Sequence, residues 1–459
     1  MRIKFKLSLF VACVFVLLIS SCKKFVEIPP PPNQLISDAV FSNDATATAT
    51  VIGIYHEMIN STLQFSAAST TIYAGMYADE LRYYSPSARD PFINSLLTEE
   101  THGLISSNFW NPAYRYIYVS NICLAKLESS SITPSLRNTL IGEVKFVRAF
   151  CYLNLVNLFG DVPLELTSDY RVNSIIGRTP ASQIYDQIIS DLVAAAENLP
   201  VSNAGPDRVR PNKWAAVALL ARAYLYNGNW AKAEAAATSV IVSGIYTLPS
   251  NLNSVFQKTS TETIWQLQPV NTSWNTWEGR EFIPPSATAA PGYLLQPGLL
   301  SAFEPNDNRK TAWVGTRVYS GQTTYYPNKY KVYGNGAPIT EYYIVLRLAE
   351  LFLIRAEARA KQNNLTGSID DLNIIRTRAG LPGTGATDQP SLLTAIENER
   401  RIELFIEWGH RWFDLKRTNK ANAVLSSLKP STWQPLHVLW PIPINQINAN
   451  PALIQNAGY

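Results

Sequence analysis

The densest run of reactive side chains lies between residues 399 and 414, with Glu399, Arg400, Arg401, Glu403, Glu407, His410, Arg411 and Asp414 in one short stretch. Glu399, Glu403 and Glu407 are spaced by four, so on a helix they share a face, and paired carboxylates are the tools of glycoside hydrolysis. Neighbours at that spacing stand only about 6 Å apart along one wall, whereas a glycosidase places its two carboxyls on opposite sides of a sugar. Ile396 and Ile406 fall on the same face and mark it as packed. Buried carboxylates need cationic partners, for which Arg355, Arg376, Arg378, Arg400 and Arg411 are candidates. The cluster reads as structural ion pairing. His56, His102, His410 and His437 stand far apart without metal-ligand spacing, and the chain has no P-loop, dinucleotide-type glycine fingerprint or Gly-x-Ser-x-Gly elbow. Binding is favoured over catalysis, with no cofactor and no metal site expected.

Rings supply the binding chemistry. Trp274 and Trp277 in NTSWNTWEG, Tyr83 and Tyr84 in ELRYYSPS, and Tyr325 and Tyr326 in TTYYPNKY fall in loop-like sequence. A pyranose presents an apolar C–H face on which a flat ring stacks, while neighbouring amides and charges bind its hydroxyls. Asp79, Glu80, Arg82, Asn271 and Asn275 stand close enough in sequence to supply those bonds. Trp110, Trp214, Trp230, Trp408, Trp412 and Trp440 fall in helical or scaffold motifs and are expected in the core.

The elements that hold these residues are helices, because apolar residues recur at three and four. Leu140, Val144, Val147, Cys151, Leu155 and Leu158 make one stripe, stopped by Gly160 and Pro163. Tyr185, Ile188, Leu192 and Ala195 make another. Further helices are predicted around 217–224, 233–240, 349–360 and 369–375, and from about Ser391 to Trp408. In Lys213 to Ile245, the residues Leu220, Ala221, Tyr224, Trp230 and Ala233 fall where a tetratricopeptide repeat puts its packing residues. Between Tyr246 and Tyr342 the helical period is lost, with short strands expected near Thr263–Gln268 and Arg317–Tyr319. The segment Thr70 to Asp90 is likewise read as irregular. Long connections of this kind are often functional.

The first residues read as an export signal. Arg2, Lys4 and Lys6 precede an apolar run from Leu7 to Ile19, too short to cross a bilayer, and Ile19-Ser20-Ser21-Cys22 resembles a lipobox with Cys22 as the acylated residue. The prolines of FVEIPPPPNQ favour an extended spacer. With the leader gone, 39 basic residues less Arg2, Lys4 and Lys6 leave 36 against 35 acidic. That balance gives no reason to propose nucleic acid as a partner, and 46% apolar against 16% charged residues exclude a disordered chain. Of the remaining cysteines, Cys123 and Cys151 lie in helical patterns, and their spacing leaves a disulfide and two buried thiols open.

Several stretches resemble the SusD/RagB family of nutrient-binding lipoproteins. They are GEVKFVRAFCYLNLVNLFGDVPL from Gly142, YDQIISDLVAAAENLP from Tyr185, VLRLAELFLIRAEA from Val345, LNIIRTRAG from Leu372, ERRIELFIEWGHRWFDLKR from Glu399, and the closing WPIPINQINANPALIQNAGY. The resemblance covers nearly the whole mature chain in order. It implies a mostly α fold of tetratricopeptide-like helix pairs supporting a loop-rich ligand face, and no catalytic activity. It also implies a glycan ligand, delivery to a SusC-like TonB-dependent porin, and an outer-membrane lipoprotein facing the cell exterior. RagB-type relatives make a peptide ligand the alternative, and a secreted hydrolase with an unrecognised site is a third reading. The expected organisation is a leader over 1–21, the lipidated cysteine and tether over 22–34, an N-terminal helical region over 35–245 and a C-terminal region over 246–459, the last two packed as one globule.

Overall fold

The computed structural model describes residues 38–459 apart from 62, 88, 271, 272 and 335, so the leader, Cys22, the tether and Asn271 lie outside the described residues. The chain is mostly helical. Helix α1 (Asp44–Ile59) is followed by α2 (Asn111–Glu128), α3 (Pro134–Phe159), α4 (Ala181–Asn198), α5 (Lys213–Tyr226) and α6 (Trp230–Val242). Then come the short α7 (Trp277–Phe282) and α8 (Asn308–Trp313), and finally α9 (Leu348–Lys361), α10 (Leu365–Arg378), α11 (Gln389–Glu403) and α12 (His410–Arg417). Helices α2 to α6 pack each on the next, α6 packs on α9, and α9 is flanked by α10 and α11.

The caps and turns that build this stack are local chemistry. Asn212, Asn229, Asn364 and Asp388 each accept a backbone N–H of the first turn of α5, α6, α10 and α11. Gly228 takes a left-handed φ of 71° to reverse the chain between α5 and α6, and Ala221 and Ala233, both fully buried, let helices pack closely. The stripes read from the sequence are the buried faces: Leu140 to Leu158 on α3, and Ile188, Leu192 and Ala195 on α4. Trp110, Trp408, Trp412 and Trp440 are core residues. Trp214 and Trp230 are half-buried instead, lying on the core's edge at the starts of α5 and α6.

Two segments depart from their sequence reading. Thr70 to Asp90 is not loop throughout, because Phe65–Ala74 is a π-helix buried at every residue. A run that is apolar or small on all faces has no stripe to betray it. The helix expected to reach Trp408 ends at Glu403, and Ile406, Trp408 and Gly409 adopt φ of 51°, 48° and 70° in a tight turn before α12. Gly409 has to be glycine on a second count. A Cβ there would stand 2.9 Å from that of Ala74 in the π-helix.

Three two-stranded antiparallel ribbons stand against the helices. Strand β1 (Leu81–Tyr83) pairs with β3 (Tyr293–Leu295), and β2 (Thr263–Leu267) with β6 (Tyr343–Arg347). Strands β4 (Val314–Tyr319) and β5 (Gln322–Pro327) form a hairpin. Both expected strand segments are therefore present. Ion pairs join the first half to the second, among them Arg222 with Glu350 and Arg411 with Asp79. Among the described residues no helix is long and apolar enough to cross a membrane. Cys123 and Cys151 are free, buried thiols, and burial pushes Cys123 up to about 12.

Candidate functional site

The three glutamates sit in the interior, although only Glu399 and Glu403 lie on α11. Glu407, in the turn after it, joins the same network. Glu399 accepts from Arg309 (2.5 Å) and Arg376 (3.2 Å), and Glu403 from Arg309 (3.0 Å), Arg347 (2.6 Å) and Arg378. Glu407 accepts from Arg347 at 2.8 Å and from Lys329. Of the cations proposed from sequence, Arg376 and Arg378 are correct. Arg355, Arg400 and Arg411 instead serve Asp371, Asp414 and Asp79. Burial alone would raise Glu403, but Arg378, Arg347 and Arg309 hold it well below the usual carboxylate range. His410, buried beside Arg222 and Arg400, is held neutral. A general acid needs a raised pKa and access to its substrate; Glu403 has neither. The cluster is an ion lattice holding α8, α10, α11 and β6 together.

The rings lie on the opposite kind of surface, at the loop-rich ends of the ribbons. Tyr84 donates its backbone N–H to Gly292 O (2.9 Å), which seats it beside β3. Its ring meets Tyr319 of the hairpin edge-on at 5.5 Å. The hairpin carries Tyr325, 37% exposed, and Tyr326, whose ring covers Gly315. Tyr83 packs edge-on against Tyr293 (5.0 Å) under the guanidinium of Arg89, and Tyr293 in turn meets Phe282 at the end of α7. Trp277 opens that helix and Trp274 precedes it. The Tyr84–Tyr319 contact joins Tyr83 and Tyr84 to the hairpin tyrosines, whereas Trp274 and Trp277 stand at the other end of α7, about 9 Å of helix away from the Phe282 that meets Tyr293.

Their roles differ. Trp274 is half-buried, with Arg280 4.7 Å from its ring centre and Tyr333 edge-on at 5.6 Å. Trp277 is pinned, its indole N–H donating to Ile59 O at 2.7 Å. Arg82 is exposed on β1. Asn275 offers nothing to a ligand: it is 1% exposed, and its carbonyl oxygen accepts from the N–H groups of Thr340 (2.7 Å) and Glu341 (2.8 Å) while its amide donates to Pro338 O. Asp79 and Glu80 are buried as well. Asp79 is clasped by Arg401 (2.7 Å) and Arg411 (2.8 Å), and burial pushes Glu80 up to about 8. In this structure those three polar side chains are engaged in holding the loops around them.

Sequence reasoning missed a cavity beside the β1–β3 ribbon. It measures about 810 Å³, opens at the Leu81–Leu295 end of the β1–β3 ribbon, and is lined by Asp79, Gln296, Arg401, Arg411, Leu428 and Lys429 among others. That volume is typical of small-molecule sites. Arg401 and Arg411 read as part of an ion-pairing cluster and Lys429 carried no signal, so nothing in their spacing announced a shared wall.

Comparison with known proteins gives a consistent answer. Residues 272–459 match the SusD family, and residues 37–225 match a family described as starch-binding and associating with the outer membrane. A SusD-like protein of Formosa agariphila is 26% identical over 96% of this chain and 97% of its own length. A SusD superfamily structure from Parabacteroides distasonis superposes with a TM-score of 0.79 at 26% identity, over 90% of this chain and 99% of its own. One from Bacteroides vulgatus superposes with a TM-score of 0.80 at 21% identity, over 91% and 100%. A structure described as a laminarin-binding SusD-like protein has a TM-score of 0.77 at 24% identity, over 91% of this chain and all of its own. The helix stack, the loop-rich ring face and these matches along both halves agree: the chain belongs to the SusD/RagB family.

Proposed function

We propose that this protein is a non-catalytic, outer-membrane lipoprotein that captures a glycan at the cell surface and passes it to a SusC-like TonB-dependent porin. In this reading Cys22 carries the lipid, residues 22–34 form the tether, and the regions 35–245 and 246–459 act as one globule. The observation that carries the proposal is the set of rings in the loop-rich segments about the ribbons, with Tyr84, Trp274 and Tyr325 partly open to solvent. Flat rings on a rigid support suit sugar faces. The starch-binding description of the family matched by the first half, and the laminarin-binding neighbour, support an oligosaccharide as the ligand class. The ion lattice around Glu403 supports a role without catalysis, since the carboxylate cluster is committed to structure.

The test is calorimetric titration of the soluble chain, begun after residue 34, with a panel of oligosaccharides and with peptides, while the mixtures are assayed for cleavage. Binding of a saccharide without cleavage is the expected result. Cleavage, or binding of peptides alone, overturns the reading. Mild-detergent extraction from the native membrane should copurify a large β-barrel partner, and recovery of this chain alone would remove the porin from the proposal.

A further inference from the structure

The 810 Å³ cavity has no aromatic residue in its lining, so it cannot recognise a sugar by stacking as the neighbouring face does. Its charged groups are two guanidiniums, one ammonium and one carboxylate. Asp79 is saturated, accepting from Arg411 Nε (2.8 Å), Arg411 Nη2 (3.1 Å) and Arg401 Nη2 (2.7 Å). Arg401 spends only Nη2 on that contact, its side chain is 18% exposed, and its Nε has no hydrogen-bond partner. Lys429 is held in place by Tyr77 O (2.6 Å) and Ser95 Oγ (3.0 Å) rather than by an acid. Burial pushes it down to about 7, so an arriving anion would favour its charged form. Glu397, near Arg411 at 3.7 Å, lies outside the lining and is engaged by Lys420. The wall therefore sets two guanidiniums and the Lys429 amine against the one carboxylate of Asp79, with Glu397 at its edge shared between Arg411 and Lys420.

Resting on the glycan reading above, we propose that this cavity binds the anionic substituent of an acidic oligosaccharide, a uronate carboxylate or a sulfate ester, with Arg401 and Lys429 as the recognising cations. The apolar part of the lining, Ile93, Val424 and Leu428, covers the C–H surface of the sugar that carries the charge. A free inorganic anion would leave most of that volume and its apolar wall unused. The position fits one extended ligand. Asp79 on the cavity wall lies in the turn that leads into β1, and Tyr83 closes that strand four residues on, at most about 13 Å away, so a single oligosaccharide can place one unit in the cavity and others on the neighbouring tyrosines. Glu80, immediately behind Asp79, is held protonated at neutral pH by burial, so it adds no opposing charge.

The experiment titrates the soluble protein with uronate oligomers, sulfated galactan oligomers and neutral glucan oligomers of equal length, and with a glutamate-rich peptide. Charge-assisted hydrogen bonds predict that at least one acidic saccharide class binds about tenfold or more tightly than the neutral oligomers. Methyl esterification or desulfation of that ligand should remove the advantage, and which treatment succeeds separates carboxylate from sulfate. Arg401→Gln and Lys429→Gln should each lose a similar factor for the acidic ligand only, and Lys429→Arg should restore it. Raising the salt concentration should weaken acidic but not neutral binding, a readout that needs no variant and stands even if Arg401→Gln misfolds. Equal affinity for acidic and neutral saccharides, or unchanged acidic binding in both Gln variants, overturns the inference and leaves the glycan reading intact. Binding of the peptide without any saccharide overturns both.

Discussion

Arg411 clasps Asp79 through both Nε and Nη2, at 2.8 and 3.1 Å, across 332 positions of sequence. Arg401 holds the same carboxylate from α11, so one acid near the start of the fold ties down two cations near its end. Asp79→Asn leaves the buried Arg411 without its counter-charge and should cost about 3–5 kcal/mol, as loss of one member of a buried pair does. Chemical denaturation of the soluble protein measures it, and a cost below about 1 kcal/mol would show the pair to be dispensable.

Glu403 should behave in the same way and with a defined pH dependence. Glu403→Gln removes the partner of three arginines and should lower the melting temperature without changing ligand affinity. Because the folded-state pKa lies well below the ordinary glutamate value of 4.5, the stabilisation is present above that value and fades as the pH falls below it. The parent and Glu403→Gln melting curves should therefore converge on acidification.

Glu278 works in the opposite sense. It accepts from Tyr343 Oη at 2.8 Å, and burial pushes it up to about 8. A carboxyl whose folded pKa is raised contributes its stability below the unfolded value of 4.5 and loses it as the pH climbs toward 8. Each pH unit climbed between those two values removes about 1.4 kcal/mol. Glu278→Gln should thus gain on the parent progressively from about pH 5 to 8 and hold a constant difference above that range. Parallel melting curves across it would contradict the assignment.

On the ring face, Trp274→Ala and Tyr84→Ala should weaken saccharide binding roughly 5- to 150-fold, taking stacking as of the order of 1–3 kcal/mol per ring by analogy with nucleic-acid bases. Trp408, which stacks on Tyr343 at 4.6 Å in the core, is the control. Its alanine variant should lose about 3–5 kcal/mol of stability. Full affinity in both face variants would move the platform to Tyr325 and Tyr326.

Cys22→Ala should release the protein from the membrane fraction of cells that lack the porin, because no helix among the described residues is long and apolar enough to cross a membrane. Retention in the detergent-extractable membrane would refute lipidation at that residue.

What is legible in the sequence follows from local regularity. The 3–4 spacing from Leu140 to Leu158 is repeated often enough to identify a buried face, and Asn227-Gly228-Asn229 marks a turn through its own conformational chemistry. The π-helix at 65–74 escapes such reading because burial on every side leaves no period. Arg309, Arg347 and Lys329 escape it as partners of Glu399, Glu403 and Glu407 because contacts across 56 to 94 positions leave no trace in spacing. Asn275 passes for a ligand contact because an exposed and a loop-capping asparagine look alike until the loop around Thr340 is in place.

The clasp on Asp79 also sets a timetable. The chain is made from its N-terminus, so the rings at 83 and 84 and the acid at 79 exist long before residues 401, 411 and 429 do. A chain stopped short of them holds Asp79 without its cations. It therefore has an unfinished cavity wall with an unsatisfied charge in it, which is the kind of opening that proteases and holdases recognise. The last stretch of synthesis supplies both cations to Asp79 and completes that cavity wall in one event.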